Sequence, residues 1–304
     1  MKPFPILFIV GPTAVGKTEI ALLLAKKLSG EIISCDAMQV YREVNIASAK
    51  PSKQELDSVR HHCLNIVSVT EDFNVGRFRE AATQAVLDIQ QRGKPVIFCG
   101  GSGMYMMVLL DGIFEQLSRD PLLREKLQKE AILSGISSLH RKLSDLDPVV
   151  AGKIHPHDNK RIIRALEVCM TAGTAMSELQ TQRQGLWNQM PIRIFAINRP
   201  REILYARVED RVEAMFEQGL VKEVETISDL PLSTNSATLI GLREVGGYLR
   251  GEYDLAQAKY LMKMNTRHFV KRQLTWFRRD KRVEWINIEN ESAEDVVEGI
   301  MKQL

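Results

Sequence analysis

Cysteine is scarce and scattered in this sequence: Cys35, Cys63, Cys99 and Cys169 are the only four in 304 residues, and no two form a CxxC pair. That spacing excludes a zinc knuckle and a dithiol redox motif and predicts reduced, buried thiols. Long apolar runs are missing too, since no stretch approaches the roughly 18 uncharged apolar residues that a membrane-spanning helix needs. Nor does one sign of charge dominate. With 41 Lys and Arg against 38 Asp and Glu, the net +3 neither demands nor excludes a nucleic-acid partner, so local clustering has to decide. The short apolar stretch Met1 to Val10 runs into a glycine-rich loop instead of a cleavage site, which predicts a first strand and not a secretion signal. A soluble cytoplasmic protein with no membrane partner is expected.

What the chain does have is an alternation of strand and helix patterns. Apolar runs at Ile6 to Val10, Ile32 to Cys35, Cys63 to Val67 and Pro95 to Cys99 predict strands, with helical spacing over Glu19 to Leu28 and Val75 to Arg92. Such an order predicts an α/β fold, a parallel sheet covered by helices with its ligand site beyond the carboxyl ends of the strands. Residues 117–190 read as charged helical segments broken near Gly135, Pro148 and Pro156, an inserted all-helical subdomain between two parts of the core, 1–116 and 191–304. The second part predicts strands at Pro191 to Ile197 and Val283 to Ile288, and helices at Arg201 to Gln218 and Leu255 to Arg279.

Gly11-Pro12-Thr13-Ala14-Val15-Gly16-Lys17-Thr18 fits GxxxxGK[ST] between the first strand and the first helix. Glycines let successive N–H groups turn toward an anion, the helix start adds its dipole, and Lys17 adds a full charge. Thr18 can place its hydroxyl on Mg²⁺. The loop reads phosphate oxygens only, so kinase, triphosphatase and diphosphate chemistry all stay open. Asp36 ends the second strand on the same sheet edge, where it could bind Mg²⁺ or take a proton from an incoming nucleophile.

Basic residues cluster twice. Lys259, Lys263, Arg267 and Lys271 recur every fourth residue on one helix face, and Arg272, Arg278, Arg279, Lys281 and Arg282 extend the patch, with Asp280 the only acid in that span. This pattern predicts a phosphate-backbone footprint. Lys160, Arg161 and Arg164 form the second cluster, at the start of a helix from Asp158 to Thr171. Arg207 and Arg211 share a helix face and could reach a diphosphate. His61 and His62 diverge as neighbours and have no third ligand at a suitable spacing, so no metal is expected there.

With these residues in hand, the chain resembles the tRNA dimethylallyltransferase (tRNA isopentenyltransferase) family over nearly its whole length. The resemblance rests on GPTAVGKT at 11–18, SCDAMQVYR at 34–42, ASAKP at 47–51 and RHH at 60–62, then RGKPVIFCGGSGMY at 92–105. Further along come KIHPHDNKRIIRALEV at 153–168, IGLREV at 240–245 and KRQLTWFRR at 271–279. It implies transfer of a dimethylallyl group from dimethylallyl diphosphate to N6 of the adenosine 3′ of the anticodon, with Mg²⁺ as cofactor and tRNA as partner, by a monomer. It further implies Asp36 as general base, Thr13, Lys17 and Thr18 on diphosphate and metal, and Arg207 and Arg211 on the leaving group. Expected tRNA contacts are Asp36, Ala37, Met38, Gln39, Ser102, Arg124, Lys160, Arg161, Arg164, Gly241, Leu242, Arg243, Lys271, Arg272 and Gln273. The sequence departs from the family pattern at Ala37, Ser102, Lys160 and Leu242, where serine, threonine, glutamine and tyrosine are usual. Alternatives are a P-loop kinase for a small metabolite, an adenylate isopentenyltransferase acting on free nucleotides, and a non-enzymatic RNA-binding module.

Overall fold

Six short strands, β1 (Ile6–Val10), β2 (Glu31–Ser34), β3 (His61–His62), β4 (Val96–Gly100), β5 (Ile192–Asn198) and β6 (Val283–Asn287), form one sheet in the order β3-β2-β4-β1-β5-β6. Every pairing is parallel. The computed structural model describes residues 4–113 and 120–304. A parallel sheet needs cover on both faces, and its inner strands accordingly read as unbroken apolar runs; all five residues of β1 are buried. β1 lies between β4 and β5, and the chain moves to opposite sides of it before and after the helical insertion. This reversal places a ligand crevice at the carboxyl end of β1.

The helices are α1 (Lys17–Leu28), α2 (Lys53–Ser58), α3 (Val75–Gln91), α4 (Gly103–Asp111), α5 (Pro121–Ser134), α6 (Ile136–Leu146), α7 (Pro148–Ala151), α8 (Asn159–Ala172), α9 (Met176–Thr181), α10 (Arg201–Glu217), α11 (Leu220–Ile227), α12 (Leu242–Leu249), α13 (Leu255–Phe277) and α14 (Ala293–Met301). The chain divides into two compact units, Met1–Leu110 with Trp187–Leu304, and Asp111–Leu186. The sequence-based edge at 116/117 lies outside the described residues. In the helical unit, Asp120, Asp147 and Asp158 cap α5, α7 and α8 through their carboxylates, and Gly135 separates α5 from α6. Leu127, Leu139, Leu143, Ile162 and Leu166 form the centre of its core.

One predicted strand is misplaced. The third strand is His61–His62 and not Cys63 to Val67, because Cys63 (φ 60°) and Asn65 (φ 55°) take left-handed backbone angles that no extended run tolerates. Val67 keeps only an isolated bridge to Tyr41.

At the amino-terminal edge of the sheet, Glu31 is buried and surrounded by cations. Arg92 grips its carboxylate with two nitrogens, Lys94 donates at 2.9 Å, and His62 Nε2 lies 2.8 Å away. Burial alone would raise this carboxyl's pKa, but the hydrogen bonds from Arg92, His62 and Lys94 outweigh it and hold it well below the usual range. Its contribution to stability is thus present above the ordinary carboxylate pKa and disappears only as pH falls through the lowered folded value. Glu31→Gln should cost about 3 kcal/mol, the low end for breaking a buried pair, because the cations can still reach water. A urea titration checks this as a lower midpoint at unchanged slope.

Candidate active site

The loop between β1 and α1 is held by side chains from distant parts of the chain. The Thr13 N–H donates to Gln273 Oε1 (2.9 Å), and Arg211 Nη1 donates to Thr13 Oγ1 (3.1 Å). Arg207 Nε donates to the Ala14 carbonyl (2.8 Å), Arg199 Nε to the Val15 carbonyl (3.0 Å) and Lys17 Nζ to the Pro12 carbonyl (2.6 Å). In a trans peptide the C=O and the following N–H point opposite ways, so carbonyls drawn to these cations turn N–H groups toward the other side of the loop. Gly11 (φ 139°) and Gly16 (φ 105°) supply the angles this winding needs, and a methyl on Gly11 would meet the Ile197 carbonyl at 2.4 Å. α1 begins without a side-chain cap, which leaves its start to an anion.

A cavity of about 100 Å³ opens at this point. Thr13, Lys17, Thr18, Asp36 and Arg211 are among its polar lining, and Ala47, Met215, Ile240, Met262 and Phe269 are among its apolar walls. Burial pushes the Lys17 ammonium pKa down to about 8, with the Asp36 carboxylate pulling the other way. Cys99, expected to be buried, lines the cavity and is only partly covered. Burial raises its thiol to about 11, which keeps it protonated and a poor nucleophile.

Asp36 sits where the carboxyl ends of β2 and β4 meet. Its Oδ1 accepts from the Met38 N–H (2.9 Å), and the Ala37 N–H donates to Ser102 Oγ (2.9 Å). The Gly100-Gly101-Ser102-Gly103 run permits this approach: a methyl on Gly100 would strike the Cys35 backbone at 2.1 Å, one on Gly101 the Gln273 amide at 2.1 Å, and one on Gly103 the Trp276 ring at 2.1 Å. Gln39 lines the same cavity, accepting from Ser34 Oγ and donating toward the Ser48 and Ala49 carbonyls.

The residues expected to touch tRNA fall into different settings. Lys271 and Arg272 are exposed, and Arg243 is exposed beside Glu244. Gln273 is not available: its side chain is buried, with Oε1 on Thr13 and Nε2 donating to the Gly101 carbonyl (3.0 Å), so it braces the phosphate loop. Leu242 and Gly241 are also buried, because they open α12 against the core. In the helical unit Arg124 and Arg164 converge on buried Glu167 (3.8 and 3.0 Å) and Arg161 pairs with Asp158, while Lys160 is exposed with no acidic partner among the described residues.

The long cation stripe needs a larger correction. Lys259 and Lys263 pair with Glu213 and Arg267 pairs with Glu209, so this part of α13 forms ion pairs with α10 instead of facing a polyanion. Further along, Lys271 and Arg278 open with Arg199 and Arg201 onto a second pocket whose described lining includes no acid. Arg199 was missed in the sequence; its signal is its place directly after β5, on the same edge as the phosphate loop.

A loop of the phosphate-binding pattern and a carboxylate share one small cavity with apolar walls on an α/β fold, a lining that fits a ligand anionic at one end and apolar at the other. Residues 39–280 match the IPP transferase family, and the chain belongs to that family. It is 41% identical to a tRNA dimethylallyltransferase of Heliobacterium modesticaldum, over 97% of this chain and 93% of that one. Identity to the Geobacter metallireducens tRNA dimethylallyltransferase is also 41%, over 92% of each. Among solved structures, the tRNA isopentenylpyrophosphate transferase of Bacillus halodurans superposes with a TM-score of 0.72 at 34% identity, covering 98% of this chain and 95% of that one. A eukaryotic dimethylallyltransferase acting on tRNA superposes with a TM-score of 0.81 at 26% identity, covering 99% and 78%.

Proposed function

We infer that this enzyme transfers a dimethylallyl group from dimethylallyl diphosphate to N6 of the adenosine 3′ of the anticodon in tRNA and releases diphosphate. The observation that carries this reading is a cavity in which Lys17, Arg211 and the loop meet apolar walls, with Asp36 in the same lining. The allylic C1–O bond breaks with its electron pair passing to the diphosphate, the N6 lone pair forms the new N–C1 bond, and Asp36 takes the N6 proton. Negative charge grows on the leaving group, where fixed cations and N–H donors stabilise the transition state most. Ala47, Met215, Ile240, Met262 and Phe269 keep water from the developing allylic cation.

Thr18 and Asp36 offer hard oxygen donors in the same cavity. Two protein oxygens suit Mg²⁺, which keeps waters and substrate phosphates as its other ligands. When bound, Mg²⁺ would neutralise charge on the diphosphate. The pocket of Arg199, Arg201, Lys271 and Arg278, whose described lining includes no acid, supports contact with an RNA backbone, and Lys160 supplies a cation with no acidic partner among the described residues. No helix among the described residues is long and apolar enough to cross a membrane.

The apolar walls favour a prenyl diphosphate over the nucleotide of a small-metabolite kinase. Equilibrium binding of labelled dimethylallyl diphosphate with ATP as competitor separates the two. Retention of label against an equal concentration of ATP supports the transferase, and full displacement would restore the kinase.

A further inference from the structure

Between Asp36 and Pro51 the chain winds into a tight pad that walls the cavity with Met38, Gln39, Ala47, Ser48, Ala49 and Pro51. It has little secondary structure of its own, so something else must fix its shape. From within, Lys50 Nζ donates to the Tyr41 carbonyl (2.5 Å), Asn45 Oδ1 (3.1 Å) and Asn65 Oδ1 (2.6 Å), and Ser48 Oγ donates to the Val44 carbonyl. From outside, the 65–67 backbone bonds Gln39, Val40 and Arg42, Ser102 accepts the Ala37 N–H, and the turn at Asn45–Ala47 is gripped by one residue far along the chain. The N–H groups of Asn45 and Ile46 donate to Glu223 Oε2 (2.8 and 2.7 Å), and that of Ala47 donates to Glu223 Oε1 (2.9 Å).

Three successive N–H groups aimed at one point make an anion-binding concavity, and here α11 fills it with a carboxylate. Charge-assisted hydrogen bonds of this kind are the strong ones, and three on one side chain fix both position and orientation. Ala47 also abuts Gly241, where an added methyl would come within 3.0 Å of Ala47 Cβ and 3.4 Å of Met262 Cε. Ala47, Ile240 and Met262 all line the cavity. Glu223 therefore holds the Ala47 wall against the apolar residues that any prenyl chain has to fit between.

We propose that Glu223 is a positioning and specificity-determining residue: by pinning Asn45–Ala47 it keeps the apolar end of the cavity short and limits the donor to five carbons. The inference rests on the transferase reading. A ten-carbon donor would undergo the same displacement, C1–O breaking toward diphosphate and N6–C1 forming, and would be refused only for length. Releasing the pad should admit it.

The test compares kcat/KM for dimethylallyl and geranyl diphosphate, with unmodified tRNA as acceptor, in the wild type, Glu223→Ala, Glu223→Gln and Ala47→Gly. Glu223→Ala should lose about 10- to 100-fold on the five-carbon donor, the scale of an ångström-sized displacement in an active site. It should also narrow the preference for five carbons over ten by about tenfold, on the same scale. Glu223→Gln should fall between, because one amide oxygen can still accept the two N–H groups now on Oε2. Ala47→Gly shortens the wall without touching its anchor and should shift the preference the same way, so the inference stays testable even if the Glu223 variants fold poorly. A role in folding alone would lower the active fraction and scale both donors equally, leaving the ratio at the wild-type value. That unchanged ratio in all three variants overturns the proposal. A wild type that transfers neither donor defeats the transferase reading and this inference with it.

Discussion

Asp36→Asn should lower the rate of prenyl transfer by about 10²- to 10⁴-fold, the usual contribution of a general base, while dimethylallyl diphosphate still binds. The substitution is nearly isosteric. The amide oxygen of the new side chain can accept the Met38 N–H as Asp36 Oδ1 does, and the Ala37 bond to Ser102 Oγ uses only backbone and hydroxyl, so the turn keeps its shape. What disappears is the capacity to take the N6 proton. Single-turnover kinetics with saturating tRNA read the chemical step directly, and an unchanged rate would remove Asp36 from it.

Lys17→Ala should instead fail at binding, raising the dissociation constant for dimethylallyl diphosphate by about 30-fold or more, since losing one partner of a buried charge pair costs roughly 2–5 kcal/mol. Lys17 also makes donor affinity depend on pH. Its ammonium is held near 8 in the free enzyme and an arriving diphosphate favours the charged form, so binding takes up a proton above that pH. Affinity should be full below about 8 and fall by about tenfold per unit as pH rises beyond it. Titration calorimetry in buffers of different ionisation enthalpy measures the proton uptake, and Lys17→Ala should abolish it. A pH-independent affinity from about 1 unit below that value to about 1 unit above it would place the diphosphate away from Lys17.

What could be read from the sequence was what local chemistry writes into contiguous residues. The loop at 11–18 is eight adjacent residues placed between the first strand and the first helix, and Asp36 follows an apolar run that ends at the same sheet edge, so both reach one cavity. The helices were legible where periodicity and caps agree, as at Asp158 and α8. Partners far apart in the chain were not legible. Nothing around Gln273 says that its amide closes on Thr13, 260 residues away, and its neighbours Lys271 and Arg272 suggest an RNA surface instead. The stripe Lys259, Lys263 and Arg267 was read correctly in spacing and sign, but its counter-charges, Glu209 and Glu213, recur at the matching four-residue spacing on α10. Comparing acid and base stripes between predicted helices would have found that pairing. The third strand failed for a backbone reason, since left-handed angles at Cys63 and Asn65 leave no mark in an apolar pattern.

The proposed reaction joins a prenyl diphosphate to an adenosine amine in tRNA within one small cavity. Its most direct measurement incubates the protein with Mg²⁺, labelled dimethylallyl diphosphate and unmodified tRNA, then digests the RNA to nucleosides and identifies the labelled one by mass spectrometry. The expected result is label on N6 of the adenosine immediately 3′ of the anticodon and none on free AMP supplied in the same reaction. Label on AMP with tRNA left unmodified, or no transfer to either, would contradict it.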